Sequence, residues 1–243
     1  MSEVVVGADA DAVVAAAAQR FREVVTAAQS ERGSASVVLT GGSNGIALLA
    51  ALREDSGDID WSHVDIFWGD DRFVPADDPE RNEGQAIAAL LDRVPVRPER
   101  VFSIEPSDGR FGDDIEAAAA DYASRLVSYG DGEIPRFDLH LLGMGGEGHI
   151  NSLFPHTPAL AEQVRPVVAV TDSPKPPPRR ITLTAPVVDR ARQVWFLVAG
   201  GEKAEAVAAG VTGGDPQQWP CAAVHGTEAT VWFVDRAAAT DLP

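Results

Sequence analysis

A histidine, a carboxylate and a set of glycines fall within a few residues of one another in GMGGEGHINSLFP, residues 143–155. Imidazole exchanges protons near neutral pH, and glycines let backbone and reactant approach closely. His149 therefore reads as a general base for water, and Glu147, two residues earlier, as the group that orients the ring or holds its charge. Main-chain N–H groups around Gly146, together with Asn151, read as donors to negative charge developing on an oxygen. Taken alone, a single histidine beside glycines also fits a packed turn.

Further stretches have the composition of anion sites. In TGGSNG, residues 40–45, Gly41 and Gly42 leave N–H groups uncovered, and Ser43 stands where a helix begins, whose dipole favours an anion. A glycine turn between strand and helix also arises for steric reasons. The pattern is neither GxGxxG nor GxxxxGK[ST], so a dinucleotide or nucleoside triphosphate has little support. In GDDRFVPADDPERN, residues 69–82, Asp70 and Asp71 precede Arg72. Arg72 is then a planar clamp for phosphate or carboxylate held by the acids, or part of a solvated loop. In SPKPPPRRITL, residues 173–183, Lys175, Arg179 and Arg180 gather on a proline-stiffened loop. Such stiffness lowers the ordering cost of binding an anion.

Other chemistries fit less well. His63, His140, His156 and His225 are scattered, with neither HExxH nor a cysteine set, so no protein-bound metal is expected. Cys221 lies outside the glycine loops, and no GxSxG elbow surrounds Ser152. The tryptophans, Trp61, Trp68, Trp195, Trp219 and Trp232, fall in or beside strands and read as packing.

These stretches need a scaffold, and hydrophobic periodicity supplies one. Residues 9–31 place Val13, Ala17, Phe21, Val24, Val25 and Ala28 at helical spacing, with Asp9 as N-cap. SVVLTGG is a buried strand entering a glycine turn, followed by the helix NGIALLAALRE. HVDIFW, RVFSI, FDLHLLG, PVVAV, ITLT, QVWFLV and ATVWFVD continue the strands, with helices over 79–94, 112–129 and 202–209 between them. Continuous apolar strands alternating with helices predict an α/β fold: a mostly parallel, doubly wound sheet with helices on both faces. In such sheets ligands bind beyond the carboxyl ends of the strands, where strand order reverses. Every stretch singled out above sits at a predicted strand end. SPKPPPRR reads as a rigid loop within a single domain spanning 1–243, not as a linker.

Composition bounds the partners. A balance of 20 Lys+Arg against 37 Asp+Glu, formal charge −17, repels nucleic acid and anionic membranes. An anionic ligand must then be held by a local basic cluster. One cysteine, no apolar run near the ~20 residues of a membrane span and no secretory leader favour the cytoplasm. No obligate protein partner is evident.

Taken together and in order, TGGS, FWGDDRFVPADDPERN, FDLHLLGMGGEGHINSLFP, SPKPPPRRITL and FLVAGGEKAEAV resemble the 6-phosphogluconolactonase family, over about residues 36–234. The resemblance implies a fold related to the amino-sugar-phosphate isomerases. It implies hydrolysis of 6-phospho-D-glucono-1,5-lactone to 6-phosphogluconate without a cofactor. It assigns the catalytic histidine to His149 and substrate contacts to Gly42, Ser43, Arg72, Lys175 and either Arg179 or Arg180. Here Glu147 replaces the aspartate usual in GPDGHTASLFP, Ile150-Asn151 replaces its threonine-alanine pair, and GGSNG replaces GGSTP. Two other readings remain: an amino-sugar-phosphate isomerase or deaminase, and a sugar-phosphate sensor. The first typically carries a tyrosine after the acidic pair where Arg72 stands here. The second requires a DNA-binding module, for which the chain shows no basic segment.

Overall fold

In the computed structural model, residues 2–243 are described. Asp9 starts α1 (Ala10–Arg32) as expected, its side chain accepting the Ala12 N–H at 2.9 Å. The helix buries Val13, Ala17, Phe21, Val25 and Ala28 and stops at Gly33 in the left-handed conformation. Two units follow: β2 (Ala35–Leu39) leads into α2 (Gly42–Glu54), and β3 (Val64–Trp68) leads through Gly69 into β4 (Asp70–Arg72). Next come α3 (Asn82–Ala86), β5 (Val101–Phe102), α4 (Ile115–Tyr129), β6 (Leu139–Leu142) and α5 (Pro158–Ala161). The chain ends with β7 (Val167–Val170), β8 (Arg180–Leu183), α6 (Ala185–Val188), β9 (Gln193–Val198), α7 (Ala204–Thr212) and β10 (Ala229–Asp235). A strand not anticipated from the sequence, β1 (Ser2–Gly7), precedes them all.

The main sheet has the order β1-β10-β9-β6-β2-β3-β5, and every pairing in it is parallel. All residues of β2, β3 and β6 are buried, as strands covered on both faces require. Trp68, Trp195 and Trp232 are fully buried, in keeping with their reading as packing. From β2 the chain winds outward through β3 and β5, then returns to the other side of β2 through β6, β9 and β10. Strand order therefore reverses between β2 and β6, whose carboxyl ends carry Thr40–Gly42 and the glycine loop. No helix among the described residues is long and apolar enough to cross a membrane.

Three expectations need correction. PVVAV and ITLT do not extend the main sheet; as β7 and β8 they form a second, antiparallel sheet with β4. Apolar runs fix a strand but not its partner, and Gly69 joins the two sheets, its N–H on Leu39 and its carbonyl accepting from Leu183. SPKPPPRR is consequently the tip of the β7–β8 hairpin. The helix expected over 79–94 begins only at Asn82 and passes into a wide turn at Ile87–Leu91. Buried Asp71 captures the Asn82 and Glu83 N–H groups at 2.7 and 3.2 Å and so sets that start. Finally, β1 was missed because it is a half-exposed edge strand, specified by pairing with β10 and not by alternation.

Candidate active site

The loop after β6 folds back on itself: Gly145 N–H donates to the His149 carbonyl at 3.1 Å, and Gly148 N–H to that of Gly145 at 3.0 Å. This tight return needs glycine at 145, because a side chain there would overlap His149 Nδ1 and the Glu147 carboxylate. The His149 ring stacks on Phe154, centroids 4.4 Å apart. Its Nδ1 lies 3.1 Å from Glu147 Oε1. A carboxylate only accepts, so Nδ1 carries the proton and Nε2 keeps its lone pair. Burial, and then the nearby Lys175 ammonium, lower the His149 pKa to about 4, against the opposing pull of Glu147 and Asp70. The imidazole is thus neutral at physiological pH. Burial tends to raise the Glu147 carboxyl, but the Lys175 hydrogen bond, its own backbone N–H and His149 outweigh it and hold the pKa below the ordinary value.

His149 opens into a cavity of about 270 Å³ between the carboxyl ends of β2 and β6 and the β4–β8 ladder. That volume is small for a ligand site and suits a phosphorylated monosaccharide better than a dinucleotide. Cations surround it. Arg72 and Arg180 are directly opposed in the β4–β8 ladder, a like-charge pairing that an anion between them would relieve. Arg72 is held by the Glu80 carbonyl at 2.6 Å and Asn82 Oδ1 at 2.7 Å. Arg180 is buried and is fixed by the carbonyls of Lys175 (3.0 Å), Pro176 (3.2 Å) and Pro177 (3.0 Å). Lys175 reaches Glu147 Oε1 at 2.8 Å. Lys203, just before α7, donates to the Met144 carbonyl at 2.6 Å. These are the only two lysines in the chain, and both line this cavity. Nearby, α2 opens at Gly42 with φ of +80° and no side-chain cap, which leaves its first N–H groups as donors at the positive end of the helix dipole.

Of the residues expected from sequence, the fold brings His149, Gly41, Gly42, Asp70, Arg72, Asn151, Lys175 and Arg180 around one cavity. Ser43 lines a smaller adjoining compartment with Gly41, Gly42 and Lys203. Glu147 stands behind His149. Arg179 and Gly146 lie elsewhere. The Arg179 guanidinium pairs with Asp113 and covers Phe73, because consecutive residues of a strand point to opposite faces and only Arg180 turns inward. Gly146 sits against the Glu202 carbonyl. Asn151 adopts φ of +46°, and its amide atoms are sealed beside buried His140, away from a position for donating to an oxyanion. Asp70 accepts from Ser152 Oγ at 2.6 Å and is braced by Asn82.

Sequence reasoning missed Thr40, Asn82, Gly143, Met144, Gly145, Pro176 and Lys203 as lining residues. Lys203 carried a usable signal, since AGGEK repeats the pattern of glycines at a strand end followed by a helix. Asn82 carried none, because its contacts with Asp70 and Arg72 depend on how α3 packs.

Comparison with known proteins agrees with this geometry. Residues 8–232 match the family described as glucosamine-6-phosphate isomerases/6-phosphogluconolactonase. The 6-phosphogluconolactonase of Mycobacterium tuberculosis is 54% identical over 237 residues, covering 97% of this chain and 96% of its own. That of Streptomyces coelicolor is 49% identical, covering 99% of this chain and 95% of its own. The crystal structure of 6-phosphogluconolactonase from Thermotoga maritima superposes with a TM-score of 0.85 at 26% identity, covering 97% of this chain and all of that one (100%). With the α/β fold, the strand-order reversal and the relatives in agreement, the chain belongs to the family of glucosamine-6-phosphate isomerases and 6-phosphogluconolactonases.

Proposed function

We propose that this protein hydrolyses 6-phospho-D-glucono-1,5-lactone to 6-phospho-D-gluconate in the oxidative pentose phosphate pathway. The observation that carries the reading is a neutral histidine, backed by a carboxylate, opening into a small cavity ringed by Arg72, Arg180, Lys175 and Lys203. The names of the Mycobacterium and Streptomyces relatives support the same activity.

Nε2 of His149 takes a proton from water as the water oxygen attacks C1. Glu147 holds Nδ1–H and stabilises the imidazolium that forms. The tetrahedral intermediate collapses, the C1–ring oxygen bond breaks, and the imidazolium returns its proton to the departing oxygen. Free N–H groups at the start of α2 and the surrounding cations offset the charge on the oxyanion. Arg72, Arg180 and Lys175 hold the phosphate, with Lys203 and Ser43 in the adjoining compartment, so that remote binding energy aligns C1 with the base. A lactone is an activated ester, so this route needs neither metal nor cofactor. Both sheets contribute residues to the cavity, which supports reading 1–243 as one domain. A doubly charged sugar phosphate does not cross membranes unaided, which fits a cytoplasmic enzyme with this small molecule as its partner.

The test is the disappearance of freshly generated 6-phosphogluconolactone with wild type, with His149→Ala and without protein. Loss of the base should lower kcat/KM by about 10²–10⁴. Full activity in His149→Ala would overturn this mechanism.

A further inference from the structure

Lys175 has an unusual setting for a phosphate ligand. Its backbone is locked: its N–H donates to Ser173 Oγ at 3.3 Å, and its carbonyl accepts from Ser173 Oγ and from Arg180 Nη2, both at 3.0 Å. Its side chain is half exposed and is hydrogen bonded at the ammonium, not along the stem. The ammonium nevertheless lies within the base assembly, 2.8 and 3.0 Å from the two Glu147 oxygens and 3.5 Å from His149 Nδ1. In that position it shares the carboxylate that must stabilise the imidazolium, and it adds a like charge beside the ring. Both effects weaken the base.

We propose that Lys175 couples phosphate binding to the basicity of His149: in the free enzyme its ammonium restrains the base through Glu147, and a bound phosphate draws it away. This inference rests on the lactonase reading above. The path is short, because Arg180, which faces Arg72 across the ladder, is hydrogen bonded to the carbonyl of Lys175 itself. An anion between those guanidiniums is a dianionic alternative to the monoanionic Glu147. Once the ammonium transfers, Glu147 is left to His149 alone and the ring becomes a stronger base. Lys175 is thereby a specificity-determining residue, since an unphosphorylated lactone can occupy the cavity without releasing the restraint.

Other charges reach His149 and set the baseline. Asp70 on β4 favours the imidazolium. Arg180 on β8 lies over Phe154, on which the ring stacks, while Arg72 and Lys203 line the same cavity. His140 on β6 is buried and neutral. None of these is hydrogen bonded to Glu147, as Lys175 is.

The experiment is an NMR titration of the His149 ring nitrogens, assigned with His149→Asn, in wild type, Lys175→Met and Lys175→Arg, each with and without 6-phosphogluconate or inorganic phosphate. In wild type the anion should raise the His149 pKa by about one unit or more, a tenfold change in proton affinity. In Lys175→Met the free value should already be higher and the anion-induced rise at least halved, with Lys175→Arg restoring part of it. Lys175→Met should also hydrolyse unphosphorylated gluconolactone about threefold faster or more at neutral pH while losing about tenfold in kcat/KM on the phosphorylated lactone. Equal shifts in wild type and Lys175→Met, or no gain on gluconolactone, would overturn the coupling and leave Lys175 as a simple phosphate ligand. Wild-type turnover of the phosphorylated lactone separates the two ideas: its absence defeats the lactonase reading, whereas its presence with equal shifts defeats only the coupling.

Discussion

At His149 desolvation and the Lys175 ammonium act together against two carboxylates, Glu147 and Asp70. Burial removes water from the imidazolium, Lys175 adds a like charge, and Glu147 returns only part of the lost stabilisation, so the His149 pKa is lowered to about 4. The base form is therefore complete at neutral pH and is lost only as pH falls through that value. The acid limb of kcat/KM, which reports the free enzyme, should lie near pH 4, a unit or more below a solvent-exposed histidine. Glu147→Gln removes the group that favours imidazolium; it should move that limb lower still and reduce kcat by about tenfold. A pH–rate profile of both proteins checks this, and an acid limb that rises in the variant would contradict it. The pair itself was legible in GEGH, because two residues of a tight loop cannot diverge far. The inward turn of Arg180 was not, since sequence offered Arg179 and Arg180 equally until the β4–β8 register fixed which one faces Arg72.

At the scale of elements, the junctions matter more than the helices and strands. Gly41 lies against Asn82, which supports both Arg72 and Asp70. A methyl group at Gly41 would overlap Asn82 Oδ1, the atom that accepts from Arg72. Gly41→Ala should therefore raise KM for the phosphorylated lactone about tenfold with a smaller effect on kcat, because the base is untouched while the clamp is loosened. Steady-state kinetics on this variant, with its melting temperature as a folding control, tests the link. The strands β2, β3, β6, β9 and β10 were readable as apolar runs, and α1 as a capped amphipathic helix. The small sheet was not readable, because its antiparallel ladder depends on Gly69 redirecting the chain after β3.

Across the whole molecule, buried titratable groups tie stability to pH. His149 and His140 are held neutral, at about 4 and about 3, against 6.5 for a free histidine. Between pH 6.5 and those values the unfolded chain binds protons that the folded protein does not, so stability falls as pH falls through this window. Asp71 acts oppositely. Burial, only partly offset by Arg81, raises it to about 6, so the folded state gains stability as pH falls from 6 towards 3.8. From pH 7 to 5 each histidine should cost about 2 kcal/mol and Asp71 return about 1 kcal/mol. Urea unfolding at the two pH values should show that net loss, and His140→Gln should reduce it by about half or more. By itself the sequence determined the α/β class, the anion-seeking stretches at strand ends and the histidine–carboxylate loop, because periodicity, glycine turns and nearest neighbours are local properties. Only the tertiary structure decided which cations face one another, that Lys175 and Lys203 line the same cavity, and that Asn151 turns toward His140. These depend on strand register and on the reversal of strand order between β2 and β6, which bring together residues far apart in the chain.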